Sequence, residues 1–324
     1  MTELNGRPLL DTRLDQGLYV ARPAVEEALV TAARRGLNAL LFGGRGSGKT
    51  TVLRHLAYVL REEGKPVTFV QGEAAEDARA FVALVARRLG NGGEAGLPPA
   101  LAAVSAQPFF EAVRALATLS EGAPRRVLAV DGMPSPGDAH TIFGRLRDEI
   151  WQLPFTWIVA ANDSDRAAYL TPPADAFFDV VEELPPLTEK QRRELLETRI
   201  GGSPEVGDLA AGGSGNPREL LALARELATG NASAAELLEA RSARRDEGAR
   251  LGLPAEMLMA ELEASGPASA SDERLLRRLG WTRARAVQVF KQLEQAGIVT
   301  ASEQRGGAGR PRKIYALRAS KEGA

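Results

Sequence analysis

Asn38–Thr50 reads NALLFGGRGSGKT. The apolar run Asn38 to Phe42 predicts a buried strand, and it stops at Gly43 to Thr50, which fits the pattern G-x-x-x-x-G-K-T. Beyond it, Val52, Leu53, Leu56, Val59 and Leu60 recur at helical spacing over Thr51 to Arg61. Strand, glycine-rich turn and helix in that order separate a phosphate-binding loop from a chance match. The glycines let backbone N–H groups turn inward, and the helix start adds its partial positive charge. In this reading Gly43, Gly44, Arg45, Gly46, Ser47, Gly48, Lys49, Thr50 and Thr51 cradle a nucleotide. Lys49 reaches the β and γ phosphates, and the Thr50 hydroxyl ligates Mg²⁺. ATP or ADP and Mg²⁺ are therefore the expected cofactors.

Working outward, Gly64 and Pro66 stop the helix and VTFV (Val67 to Val70) predicts a second strand. A helix is expected over Ala78 to Leu89, then a loop, NGGEAGLPPA, from Asn91 to Ala100. VLAVDG (Val127 to Gly132) is a bare apolar strand of the kind buried on both faces in a parallel sheet. Ile142 to Leu153 predicts a helix, Phe155 to Ala161 the next strand, ending at Asn162, and Val180 to Leu184 the last. Strands alternating with helices over about 185 residues predict a doubly wound α/β layer. Asp131, at a strand end, is the natural second Mg²⁺ contact, through water. The next residue is Gly132, where many ATPases of this layout carry a glutamate that orients the attacking water. Either slow hydrolysis or another acid in its place is therefore expected. Asp138 is close in sequence, but nothing in the sequence positions it.

After Pro185-Pro186 only helices are expected: one capped by Thr188, one over Ser203 to Ala211, one opening at Pro217, and one over Ala232 to Arg250. The expected organisation is a nucleotide-binding core, 1–186, a helical lid, 187–252, and a final module, 253–324. That module reads helix, helix, turn, helix, then two short strands. Ser271 is the expected cap of its second helix, with Leu275, Leu276 and Leu279 inward, and Gly280-Trp281 the turn. Thr282 caps the third, on which Ala286, Val287, Val289, Phe290 and Leu293 share one side. Gln288, Lys291, Gln292 and Gln295 lie opposite, with Arg283 and Arg285 at the N-terminal end. IVTAS and KIYAL predict a hairpin whose tip, EQRGGAGRPR, holds Gly306, Gly307, Gly309 and Arg310. The module resembles a winged helix, in which the third helix reads base edges and the wing follows a groove or the phosphates. Arg283, Arg285, Gln288, Arg310, Arg312 and Lys313 are the candidate contacts to double-stranded DNA.

Composition bounds these readings. With 324 residues, 44% hydrophobic and 26% charged, the chain has the make-up of a globular protein of two or three domains. The absence of cysteine excludes a disulfide framework and a thiolate nucleophile, and two histidines exclude a multi-histidine metal site. No apolar run approaches a membrane span and no signal peptide is evident, so a cytoplasmic location is expected. The net charge of −1 hides an asymmetry: Arg274 to Lys321 holds twelve basic residues against two acids, a net of +10, which leaves −11 elsewhere.

Taken in order, GGRGSGKT, VLAVD, WIVAAN, ELPPLT and SGNPREL resemble the AAA+ ATPases, most closely the origin-recognition and replication-initiator clade and its bacterial relatives. The resemblance spans nearly the whole chain and implies a P-loop NTPase parallel sheet with a helical lid and a C-terminal winged helix-turn-helix domain. It implies that Asn162 is sensor 1, and that Gly215, Asn216, Pro217 and Arg218 form sensor 2, with Arg218 and Pro217 near the nucleotide. Tyr19, Val20 and Arg22, in LYVARPAVEEAL, correspond to the linker beside the adenine. The family's arginine finger has no match in LTPPADAFF, and Arg166 is the one arginine in Asp163 to Phe178. A homo-oligomer or a protein partner would then supply the missing group. The implied function is ATP-dependent DNA binding with weak ATPase activity. Two alternatives stay open: a signalling switch whose winged helix contacts protein, and an accessory ATPase of a transposition or defence system that a partner activates.

Overall fold

Helices α1 (Arg13–Gln16) and α2 (Pro23–Arg35) precede the first strand, β1 (Ala39–Gly43), in the computed structural model. There follow α3 (Lys49–Glu62), β2 (Val67–Val70), α4 (Ala78–Gly90), α5 (Phe109–Leu119), β3 (Arg126–Asp131), α6 (Pro136–His140) and α7 (Arg147–Trp151). The series closes with β4 (Phe155–Asn162), α8 (Arg166–Leu170) and β5 (Val180–Glu183). The structure describes residues 4, 6–90, 109–230, 232–304 and 312–318. The expected loop at 91–100 and the wing tip with Gly306, Gly307, Gly309 and Arg310 lie outside the described residues.

The five strands pair in parallel in the order β2-β3-β4-β1-β5. Each strand's side chains alternate between faces, and in β1 to β4 both faces are buried, while the edge strand β5 exposes Val181 and Glu183. Leu40, Phe42, Leu128, Val130, Trp157 and Val159 pack with α4 to α8, while Ala39, Leu41, Val127, Ala129, Ile158 and Ala160 pack with α2 and α3. This is the parallel sheet of a P-loop NTPase. Because β4 lies between β3 and β1, the C-terminal ends of three strands meet at one edge: Gly43 is in register with Asn162, and Asp131 with Ala160.

The helix expected over Ile142 to Leu153 is broken. A helix starts earlier, at the Ser135 cap, and ends at His140; a wide π turn spans Thr141–Arg145 and α7 resumes after Leu146. Ile142, Phe143 and Gly144 are all buried, with Phe143 among Trp157, Phe177 and Phe178. Three consecutive buried positions do not fit the narrow apolar stripe of a regular helix, and the widened turn accommodates them.

The chain forms two compact units, Arg7–Pro186 and the part from Leu187 onward. The second begins with α9 (Glu189–Ile200), α10 (Pro204–Gly212), α11 (Pro217–Ala228) and α12 (Ala234–Leu251). Their starts are capped by Thr188, Ser203, Asn216 and Ser233, whose side chains each accept a first-turn N–H. Arg192 of α9 donates to the Ala210 and Ala211 carbonyls at 2.5 and 3.0 Å, satisfying the end of α10.

Gly252 (φ 91°) then turns the chain into α13 (Leu253–Ser265), α14 (Glu273–Leu279) and α15 (Arg283–Gln295), followed by the hairpin β6 (Val299–Gln304) and β7 (Arg312–Leu317). The observed order is helix, helix, turn, helix, hairpin. The module's core joins Leu258, Leu262, Leu275, Val289, Phe290 and Leu293, and the Phe290 ring stacks on Tyr315 of β7 at 4.3 Å. The cap of α14 is Asp272 rather than Ser271: its carboxylate accepts from the Leu275 N–H at 3.2 Å, three residues on, as an N-cap must. Val287 also departs from expectation. It is 45% exposed, because the core occupies only the arc of Ala286, Val289, Phe290 and Leu293.

Candidate functional site

The loop between β1 and α3 takes the shape its glycines permit. Gly46 (φ 75°) and Gly48 (φ 102°) are left-handed, where a side chain would be strained. Gly48 is also the cap of α3 and has no side chain to offer, so the first N–H groups of that helix stay open to an anion. Ser47 Oγ is buried in the loop with no hydrogen-bond partner among the described residues.

Lys49 bends back over the loop. Its Nζ donates to the Gly43 and Gly44 carbonyls at 2.7 and 3.0 Å and to Asn162 Oδ1 at 3.1 Å. Burial lowers the ammonium's pKa from 10.5 to about 8, against the attraction of Asp131, Asp163 and Glu73. Thr50 Oγ1 donates to both Asp131 carboxylate oxygens, at 3.0 and 2.8 Å. Burial raises the pKa of Asp131, and the Thr50 hydroxyl and Lys49 oppose the rise. A hydroxyl beside a buried carboxylate whose charge lacks solvation is a donor set that suits a hard divalent cation. Among the described residues no group of three or more histidines or carboxylates could hold a metal ion, so substrate phosphates and water would complete its shell.

Lys49, Thr50, Asp131 and Asn162 are thus brought together at the sheet's C-terminal edge. Asp163 and Asp165 join them from the turn after β4. The Asp163 carboxylate lies 4.0 Å from where a Gly44 side chain would begin. Burial raises the Asp165 pKa, opposed by hydrogen bonds from Ser164 and Asn162. Glu73 stands beside Gly132 from the turn after β2: a Cβ on Gly132 would be 2.5 Å from its Cγ and 2.9 Å from its Oε1. Sequence reasoning missed all three acids. The available signal was their position just past a strand, since ligands of open α/β sheets bind beyond the strands' carboxyl ends. Asp138, by contrast, is positioned as a cap: it accepts from the Ala78 N–H at 2.9 Å and from the Ser135 hydroxyl at 2.5 Å.

The N-terminal linker forms its own cluster. Tyr19 stacks on His55 of α3, with centroids 3.9 Å apart, and donates to Glu26 at 2.6 Å. Burial and that carboxylate push the Tyr19 pKa up. Val20 is buried, and Arg22, also buried, donates to the Pro185 carbonyl at 2.8 Å. Arg166 pairs with Glu183 at 2.9 Å and with Asp163 at 3.6 Å, and it lies over the Phe42 ring.

In the second unit, Pro217 is the first residue of α11 and Arg218 the next, its N–H donating to the Asn216 cap at 3.0 Å. In the C-terminal module Arg283, Arg285, Gln288 and Arg312 are exposed, and Arg285 donates to Gln288 at 3.0 Å. Lys313 is ion-paired with Glu294 of α15 at 2.9 Å, which raises its pKa. No described helix is long and apolar enough to cross a membrane.

No protein-family model matches the chain, and no curated protein is similar to it. Solved structures are. A Walker-type ATPase of Pyrococcus abyssi is similar at 14% identity and a TM-score of 0.55, over 97% of this chain and 96% of that one. The Aeropyrum pernix ORC2 protein in its ADPNP-ADP complexes is similar at 16% identity and a TM-score of 0.50, over 96% and 91%. The Aeropyrum pernix ORC1 protein in complex with DNA gives 20% identity and a TM-score of 0.45, over 97% and 90%. The first two likenesses concern the fold alone, that of a P-loop NTPase.

Proposed function

We propose that this chain is an AAA+ ATP-binding protein, similar to the initiator clade, that couples its nucleotide state to DNA binding through the C-terminal winged helix. The observation that carries the reading is the joint placement of Lys49 against Asn162 and Thr50 against Asp131, at the mouth of a loop with unfilled N–H groups. Lys49 gives up its loop carbonyls for phosphate oxygens, and Asn162, one hydrogen bond away, registers that move. Thr50 and Asp131 hold Mg²⁺, which when bound neutralises phosphate charge. Arg218, at the start of α11, is the residue through which the second unit senses the nucleotide.

The winged helix contacts the duplex with Arg283, Arg285 and Gln288 of α15 and with Arg310, Arg312 and Lys313 of the wing. Lys313 must leave Glu294 to do so, which makes that contact weaker than the exposed arginines'. Turnover is slow, since Arg166 is held by Glu183 and Asp163 and no other arginine lies in Asp163 to Phe178. A second copy or a protein partner supplies the missing cation.

The test is an electrophoretic shift on random duplex with ATP, with ADP and without nucleotide. Affinity is expected to differ between ATP and ADP; equal affinity in all three overturns the coupling. A second reading, protein docking by the winged helix, is favoured by the exposed Val287 at the border between the apolar and polar sides of α15. Duplex binding that survives loss of both Arg310 and Arg312 supports that second reading.

A further inference from the structure

The residue after Asp131 is a glycine, so the carboxylate that many such ATPases carry there is missing from the chain's linear order. Space at that position is nonetheless filled by a carboxylate. Gly132 is left-handed (φ 70°), and a Cβ on it would lie 2.5 Å from Glu73 Cγ, 2.9 Å from Oε1 and 3.0 Å from Cδ. The Glu73 side chain therefore runs through the volume that a side chain at 132 would occupy. The approach is built in: Gly72 is buried against the Gly132 carbonyl oxygen, which any side chain at 72 would strike. A short 3₁₀ turn, Gly72–Ala74, then presents Glu73 at the edge of the sheet, exposed. Its charge reaches Lys49, one of whose attractive partners it is. Asp138, the acid nearer in sequence, is committed to the Ala78 N–H and the Ser135 hydroxyl.

We infer that Glu73, supplied by the turn after β2, is the general base of ATP hydrolysis in place of a glutamate at position 132. The inference rests on the ATP-binding reading given above. The Glu73 carboxylate takes a proton from a water whose oxygen attacks the γ phosphorus. The bond from that phosphorus to the bridging oxygen breaks, and its electron pair leaves with ADP. The proton then passes to the released phosphate. Gly132 is part of the same device, since only a residue without a side chain leaves room for Glu73.

Glu73→Gln keeps shape and removes the base, in an exposed turn, and an unchanged circular dichroism spectrum and Tm check that the variant is folded. Two readouts are needed: the affinity for a fluorescent ATP analogue, and single-turnover hydrolysis of radiolabelled ATP. The expected result is an analogue Kd within about twofold of wild type and a hydrolysis rate lowered about 100-fold, the scale of a lost general base. The variant should also retain intact ATP after gel filtration where wild type retains ADP. Hydrolysis at the wild-type rate in Glu73→Gln overturns the inference and leaves ATP binding standing. Wild type that binds ATP without hydrolysing it has the same consequence. Wild type that binds no nucleotide, or binds it as well after Lys49→Ala, overturns the underlying reading instead.

Discussion

Lys49 is a cation held where charge is poorly solvated. Its pKa, lowered from 10.5 to about 8 by burial, means that the folded chain gives up this proton before the unfolded chain does. Between pH 8 and 10.5 the unfolded state therefore binds more protons, and the stability of the nucleotide-free protein gains from this group as pH rises; below pH 8 the full burial cost applies. A triphosphate reverses the preference, because it stabilises the ammonium. Nucleotide binding at pH 8.5 is thus expected to take up protons at Lys49, and binding at pH 6.5 to take up none there. Calorimetry in buffers of different ionisation enthalpy measures the difference, and uptake that does not grow with pH would contradict it. Lys49→Ala removes a charge-assisted contact of about 1.5–3 kcal/mol, so ATP affinity should fall by roughly 10- to 100-fold. Lys49, Thr50, Asp131 and Asn162 were legible in the sequence because each sits at a fixed offset from a strand end or from the glycine loop. Glu73 was not, since its partner is 59 positions away along the chain and lies beside it only in the folded sheet.

Among the elements, the turn after β2 depends on a single close approach. A methyl group at Gly72 meets the Gly132 carbonyl, a backbone atom that cannot step aside without moving the exit of β3. Gly72→Ala should cost about 1–3 kcal/mol, the usual price of overpacking, and show as a lowered Tm. An unchanged Tm would mean that the two turns separate easily. Helix α15 shows the limit of periodicity. Five apolar positions fall on one side of a helical projection, yet Val287 stays exposed because the core it faces is narrower than the projection assumes. The exposed side still carries the cations that a duplex would meet. Arg285→Ala is expected to weaken duplex binding and to reduce the slope of log K against log salt by about one, as loss of one phosphate contact does. A slope that does not change would remove Arg285 from the interface. The break between α6 and α7 was likewise hidden, since the aromatic packing around Phe143 is tertiary and Gly144, inside the widened turn, is by itself a weak local signal.

For the whole molecule, an average charge of −1 conceals a stretch of +10 in the last fifty or so residues. The first unit holds the glycine-rich loop and every acid found near it, and the second holds α9 to α15 and the β6–β7 hairpin. Within that second unit Arg244 of α12 donates to the Arg318 carbonyl beyond β7 at 3.1 Å, and Gly248 lies against Met259 of α13. The sequence alone determined the phosphate-binding loop, the strand ends, most helix caps and the apolar faces. These depend on glycine's left-handed backbone, on side chains that reach two or three residues, and on periodicity, all of them short-range. Tertiary structure alone decided that β4 lies between β3 and β1, that Asn162 therefore meets Lys49, and that Glu73 fills the space left by Gly132. Strand order and close approaches between distant turns are settled by packing of the whole sheet, which no local window of residues contains.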